Sequence, residues 1–265
     1  MRNPSESDLL SRTLNPLKLG WWIYFPELGS TNDQALAWAK AGAPDWSLVV
    51  ADSQTKGRGR NERRWVTQPG TGLAISLVLR LSEIEKGAIT RFTALAALGL
   101  ISVLERLGLH AEVKWPNDIL IDGKKTAGIL VEGDWSGQHL DALVVGMGVN
   151  VSHGAVPEAT KLRYPATSIE NALGVPVNRW EILADILKSM QSLRQTLMDE
   201  TFIDLWNHHL AFRGKWVVLK QHNQPVQEVR IIGIDQEGGL RVDYGDRKNR
   251  TIVSGEIMVS ERGES

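Results

Sequence analysis

The sequence predicts an α+β fold: a mixed β-sheet flanked by helices over residues 21–212, then a small SH3-like β-barrel over residues 213–265, with residues 1–20 as an N-terminal arm. Three observations carry this reading. In the first part, strand-length apolar runs alternate with long helical periods, and its strands are joined more by hairpins than by crossovers. At Arg213-Gly214 the character changes to short β-rich runs separated by glycine turns. The chain of 265 residues is 42% apolar and 23% charged, which is ordinary for a globular protein and excludes wholesale disorder.

Residues 1–20 are polar, carry Pro4 and Pro16, and read as a loosely ordered arm too short for an appended helix-turn-helix domain. Trp22–Phe25 reads as a short strand. Ser30-Thr31-Asn32-Asp33 then offers side-chain oxygens to the free N–H groups of a first helical turn, and the helix runs to Lys40 and stops at Gly42. Leu48–Ala51 is a buried strand. Leu73, Ile75, Leu77 and Leu79 recur with period 2, which predicts a half-buried strand. Helical periodicity spans Thr90 to Leu109 and closes near Gly108.

Four strands follow, Val113–Trp115, Ile119–Ile121, Thr126–Glu132 and Leu140–Val145, the last two joined as a hairpin through Asp134-Trp135-Ser136-Gly137. Residues 152–177 read as a loop with short turns. A long amphipathic helix covers Arg179 to Glu200 and a short one Phe202–Leu210. The barrel strands are Trp216–Lys220, Val226–Ile234, Leu240–Tyr244 and Thr251–Val253.

Composition excludes several chemistries. Lys and Arg total 30 against 31 Asp and Glu, so no global basic field holds this chain on DNA or an anionic membrane. With no cysteine there is no disulfide scaffold, zinc-thiolate site, iron–sulfur cluster or thiol nucleophile. The six histidines are scattered without metal-ligand spacing. No apolar run approaches the roughly 18 residues of a membrane span, and no signal pattern opens the chain, so the expected location is cytoplasmic.

Against this neutral background, one stretch stands out: Gln54-Thr55-Lys56-Gly57-Arg58-Gly59-Arg60-Asn61-Glu62-Arg63-Arg64-Trp65, with five cations in nine residues directly after a buried strand. Glycines let the backbone approach an anion, and arginines give bidentate bonds to phosphate or carboxylate. The plainer reading is a solvated basic loop; a nucleic-acid patch lacks the usual aromatic platform, and the Walker pattern is absent.

A second stretch is Lys114-Trp115-Pro116-Asn117-Asp118 with Lys124-Lys125-Thr126-Ala127-Gly128. Pro116 ends a strand, so Asn117 and Asp118 sit where they can meet a nucleotide or Mg²⁺, although Asn-Asp alone is most often a turn. The third, Gly146-Met147-Gly148-Val149-Asn150-Val151, permits close approach of a ligand but lacks a dinucleotide fingerprint.

Together and in this order, with Gly29-Ser30-Thr31-Asn32 ahead of them, these stretches closely resemble the motifs of the biotin protein ligases, over roughly Trp21 to Glu256. The resemblance implies a class II aminoacyl-tRNA-synthetase-like, biotin–lipoate ligase fold. It also implies the monofunctional type, with no DNA-binding domain, and a biotin carboxyl carrier domain as partner, either as monomer or homodimer. The implied reaction joins biotin to ATP as biotinyl-5′-AMP, with Mg²⁺, and passes biotin to a carrier lysine. It needs cations to bring a carboxylate against a phosphate.

Lys125 matches the catalytic lysine, and Arg58 and Arg60 match the loop arginines that fold over the intermediate. Ser30, Thr31, Asn32, Gln54, Gly57, Arg58, Lys125, Gly128 and Asn150 match positions around biotin. Arg58, Arg60, Trp65, Lys114, Asn117, Asp118, Lys125 and Asn150 match positions facing ATP or the adenylate, with Asp118 toward Mg²⁺. The chain departs from the family pattern at Asn61-Glu62, Thr126 and Lys56. A lipoate or octanoate ligase of the same fold, and a non-catalytic anion- or RNA-binding module, are the alternatives.

Overall fold

The computed structural model describes residues 5–156, 164–246 and 248–259. It opens with a helix where the sequence suggested a loose arm. Helix α1 (Glu6–Leu14) is started by Ser5, whose side chain accepts from the Asp8 N–H while Asp8 returns the bond to the Ser5 N–H. Its apolar face buries Leu10 and Leu14 completely in the main core. Glu6 completes the docking by accepting from Arg179 at 2.7 Å and from the Trp180 indole N–H at 2.8 Å. Two leucines four residues apart and a Ser-x-x-Asp box were the signals, masked by the polar residues between them.

The main sheet has seven strands: β1 (Trp22–Leu28), β2 (Ser47–Gln54), β3 (Gly72–Leu79), β4 (Ala111–Lys114), β5 (Asp118–Ile121), β6 (Lys124–Ser136) and β7 (His139–Asn150). Their order is β1-β2-β3-β7-β6-β5-β4. Only β1 and β2 run parallel, joined by the crossover helix α2 (Thr31–Lys40); every other pair is antiparallel. The sheet is therefore mixed, as expected.

One face carries α4 (Ile89–Arg106) and α6 (Arg179–Arg194) over the large core, while α2 covers part of the other with Ala35 and Ala39 against Val49, Val78 and Val144. Strand β3 is consequently buried on both faces rather than half-buried. The alternation of Leu73 to Leu79 concealed a second buried set: Ala74, Ser76 and Val78.

Other boundaries shift modestly. The β6–β7 hairpin continues through Asp134–Ser136 before turning at Gly137 (φ 64). Helix α6 ends at Arg194, short of Glu200, and α7 spans Glu200–His208. The short α3 (Glu83–Lys86) precedes α4. Within the expected 152–177 loop, α5 (Ile169–Leu173) is capped by Ser168 and terminated by left-handed Gly174. Residues 157–163 of that loop lie outside the described residues.

The C-terminal unit is a five-stranded antiparallel sheet of β8 (Trp216–Lys220), β9 (Gln227–Ile234), β10 (Leu240–Asp243), β11 (Asn249–Ile252) and β12 (Glu256–Val259), ordered β11-β10-β9-β8-β12. Among the described residues β11 and β12 do not pair with each other, so the expected barrel is an open, SH3-like sheet, and β12 is a strand that the sequence reading missed.

Polar contacts lock this sheet onto the larger domain. The Asn207 carboxamide bonds both backbone groups of Ile234, Arg91 donates to the Gln236 carbonyl at 2.8 Å, and Trp115 Nε1 to the Gly238 carbonyl at 3.3 Å. That docking brings the start of β12 to the mouth of the site.

Candidate active site

A single pocket gathers the N-terminus of α2, the 57–65 loop, the β4–β5 connection, the start of β6 and the middle of β7. Its wall takes in Ser30, Thr31, Asn32, Gln54, Arg58, Arg60, Trp65, Lys114, Asn117, Asp118, Lys125 and Gly128, all expected from the sequence. Gly57 and Asn150 are not on the wall. Gly57 is buried under the loop, where a side chain would strike the Trp65 carbonyl. Asn150 is buried and donates to the Thr167 carbonyl at 3.1 Å.

At one end of the pocket the first turn of α2 is capped from another strand. Gln54 Oε1 accepts from the Thr31 N–H at 2.8 Å and from the Thr31 hydroxyl at 3.1 Å, and the Ser30 side chain caps nothing. The buried Ser76 hydroxyl lies 2.8 Å from Thr31 Oγ1 and 2.6 Å from Asn32 Oδ1. Asn32 spends its amide hydrogens on Glu132 at 2.7 Å and the Leu130 carbonyl at 3.3 Å. Its carboxamide lies so close to β7 that a Cβ at Gly146 would strike it. Ser76 and Glu132 were missed; a lone serine inside an apolar strand and a charge closing the run Ile129-Leu130-Val131 were the available signals.

The other end is cationic. Lys125, the second residue of β6, has its Nζ 2.5 Å from Asp118 Oδ1, and Lys114 Nζ lies 3.4 Å from Asp118 Oδ2. One carboxylate therefore holds two ammonium groups. Asn117 donates its amide to the Ile129 carbonyl at 2.7 Å and accepts from the Ile129 N–H with its own carbonyl, pinning β5 to β6 beside them. Segment 165–167 pairs with Lys125 through backbone bonds from Lys125 to Pro165 and from Thr167 to Lys125. Tyr164 puts its ring 4.8 Å from Lys114 Nζ, and burial together with the Asp118 and Glu112 charges raises its hydroxyl pKa. Sequence reasoning did not find Tyr164.

The basic loop is a folded hairpin. Gly59 and Trp65 donate to the Arg63 and Gly57 carbonyls, and Asn61 (φ 53) and Glu62 (φ 58) form the left-handed turn. Glycine suits the second of those positions; Glu62 occupies it at a conformational cost, which is what the departure at Asn61-Glu62 means structurally. The Trp65 indole lies flat enough on β6 and β7 that a Cβ at Gly148 would collide with it, and Lys125 Nζ sits 5.6 Å from its ring centroid.

Arg63 reaches Glu256 of β12 at 2.5 Å, and that bond holds its pKa up. Burial pulls the Arg60 pKa down, with the Asp118 charge working against it; its carbonyl accepts from the Arg63 N–H. Its side chain lines the pocket. Glu256 is a wall residue that no sequence signal announced.

For a resident metal the fit is poor. Both Asp118 oxygens face lysines, and among the described residues no group of three or more acids or histidines is placed to hold an ion.

The described chain holds no helix long and apolar enough to cross a membrane. Residues 24–150 match the biotin/lipoate A/B protein ligase family and residues 213–260 the biotin protein ligase C-terminal domain. The second match separates biotin ligases from the lipoate and octanoate alternative.

The chain is 36% identical over 243 residues to the biotin–[acetyl-CoA-carboxylase] ligase of Paracoccus denitrificans, covering 86% of this chain and 96% of that one. It is 34% identical over 228 residues to the bifunctional ligase/repressor BirA of Bacillus subtilis, covering 84% and 70%. The Aquifex aeolicus biotin protein ligase, solved in complex with biotin and ATP, superposes with a TM-score of 0.76 at 27% identity over 91% of this chain and 98% of that one. With these relatives matched over most of both chains and both family models matched in order along it, the chain belongs to the biotin protein ligase family.

Proposed function

We propose that this enzyme joins biotin to ATP and then transfers the biotinyl group to one lysine of a biotin carboxyl carrier domain. The observation that carries the reading is a pocket with a neutral hydrogen-bonding end at Ser30, Thr31 and Gln54, backed by the buried Ser76, and a cationic end at Lys125, Lys114 and Arg60. Biotin has the matching polarity: a ureido ring at one end and a carboxylate at the other. A buried ureido group left without partners would cost about 1–3 kcal/mol.

In the first step a carboxylate oxygen attacks the α-phosphorus, the bond from that phosphorus to the bridging oxygen breaks, and pyrophosphate leaves. In this reading Lys125 holds the biotin carboxylate against an α-phosphate oxygen, and its ion pair with Asp118 supports that orientation. Arg58 and Arg60 close over the mixed anhydride and keep water from it. Trp65 offers the adenine a face, and Lys114 and Asn117 line its approach. Magnesium enters with the nucleotide.

In the second step the neutral carrier amine attacks the acyl carbon, AMP departs with the phosphate oxygen, and the amine's proton passes to solvent. Proximity and the activated anhydride drive this transfer, since no histidine lines the pocket. The carrier partner and a cytoplasmic setting follow from the same reading. Pyrophosphate release tests it: release must require biotin and ATP together, and release with ATP alone, or none with both, counts against it.

A further inference from the structure

Glu132 lies behind two residues of the pocket wall, Asn32 and Arg58, and is used by none of the roles above. Its carboxylate accepts three hydrogen bonds from those two residues. Oε1 accepts from Arg58 NH1 at 3.0 Å, and Oε2 accepts from Arg58 NH2 at 2.8 Å and from Asn32 Nδ2 at 2.7 Å. The Arg58 fork is thus gripped in bidentate fashion, with Asp33 adding a bond to NH2 at 2.7 Å. Asn32 in turn bonds Ser76, which bonds Thr31, whose hydroxyl and N–H bond Gln54. An unbroken polar chain therefore runs from the neutral end of the pocket to the first arginine of the basic loop.

We infer that Glu132 is a positioning residue, setting the Asn32 carboxamide and the Arg58 guanidinium as one unit so that the neutral subsite and the loop over it form together. This rests on the ligase reading, in which Arg58 covers the intermediate. Three features make the unit exacting. Asn32 is 5% exposed and cannot exchange Glu132 for water without unburying. The Asn32 carboxamide fills the space over Gly146 that a Cβ would take, so only glycine fits beneath it. A fork gripped at both nitrogens fixes guanidinium orientation as well as distance, which a lysine ammonium does not. Arg58 and Glu132 are partly exposed, so the pair itself adds little to fold stability; its consequence is orientation.

The test is a double-mutant cycle on full-length protein with wild type in parallel, using Glu132→Gln, Arg58→Ala and the combination. It reads biotin affinity by calorimetry, KM and kcat for pyrophosphate release, and melting temperature. Glu132→Gln is expected to raise KM for biotin about tenfold with kcat within about twofold, and the double variant to be no worse than Arg58→Ala alone. Arg58→Lys, a surface change that leaves folding intact, is expected to reproduce the Glu132→Gln effect. Losses that multiply in the double variant, or a wild-type KM in either Glu132→Gln or Arg58→Lys, overturn the proposal. A wild-type protein that releases no pyrophosphate sinks the ligase reading instead, so the two failures are distinguishable.

Discussion

Lys125 Nζ and Asp118 Oδ1 stand 2.5 Å apart across the β5–β6 ladder, and the second Asp118 oxygen faces Lys114. The two lysines are not interchangeable in this arrangement. Both line the pocket and both pair with Asp118, but the Lys114 side chain is 7% exposed and the Lys125 side chain 27%. Lys125→Ala should therefore leave the melting temperature near wild type and lower kcat for adenylation by about 10²–10³, the scale for loss of one preorganised charge contact. Asp118→Ala should fail on both counts, because removing one member of a buried pair costs about 3–5 kcal/mol. Thermal melts beside pyrophosphate kinetics check the contrast, and two variants that melt alike would contradict it.

Gly148 and Gly146 are two residues apart on β7 and invite opposite outcomes. A Cβ at Gly148 meets the Trp65 indole, which sits on a surface loop and can swing away. A Cβ at Gly146 meets the Asn32 carboxamide, which is committed to Ser76 and Glu132. Gly148→Ala should weaken nucleotide binding while sparing the fold; Gly146→Ala should cost about 1–3 kcal/mol of stability through broken buried bonds. Calorimetry with MgATP and urea unfolding separate them.

Helix α1 is part of the core. Leu10 is fully buried, so Leu10→Ala should destabilise the protein by about 2–5 kcal/mol, a drop of several degrees in melting temperature. A change within experimental error would return residues 5–14 to the status of an appendage.

Arg194 makes a predictable acid limb. It holds Glu85 at 2.7 Å and Asp45 at 2.9 Å while itself 13% exposed. Burial pushes the Glu85 pKa up, but the bonds from Arg194 and Ser82 outweigh it and leave the value below the usual 4.5. A carboxyl with a depressed folded-state pKa stabilises the fold above pH 4.5, and that contribution is lost as pH falls through the folded value. Arg194→Met should thus cost about 3–5 kcal/mol at neutral pH, and its penalty should shrink as the pH drops below 4.5. Urea unfolding of both proteins across that range is the check.

Much of this molecule was legible in its sequence because period and punctuation are local. The helix at 89–106 and the hairpin of β6 and β7 are strongly periodic and end at glycines with positive φ, Gly108 and Gly137. The pocket cations were legible because five cations beside glycines are rare in a chain of net charge −1. What stayed hidden depends on distant partners. Glu256 reaches Arg63 across 193 residues, and Gln54 caps a helix 23 residues upstream. That the SH3-like unit is an open sheet among the described residues stayed hidden for a related reason: strand composition does not state which edges meet.

The central claim is carrier biotinylation, and intact-mass analysis of a biotin carboxyl carrier domain tests it most directly. The domain is incubated with the protein, biotin and MgATP, beside a lipoate reaction and a Lys125→Ala control. A single biotinyl mass gain that requires ATP and falls sharply in the variant is the predicted result. A gain with lipoate in place of biotin, or an undiminished gain with Lys125→Ala, would contradict the account.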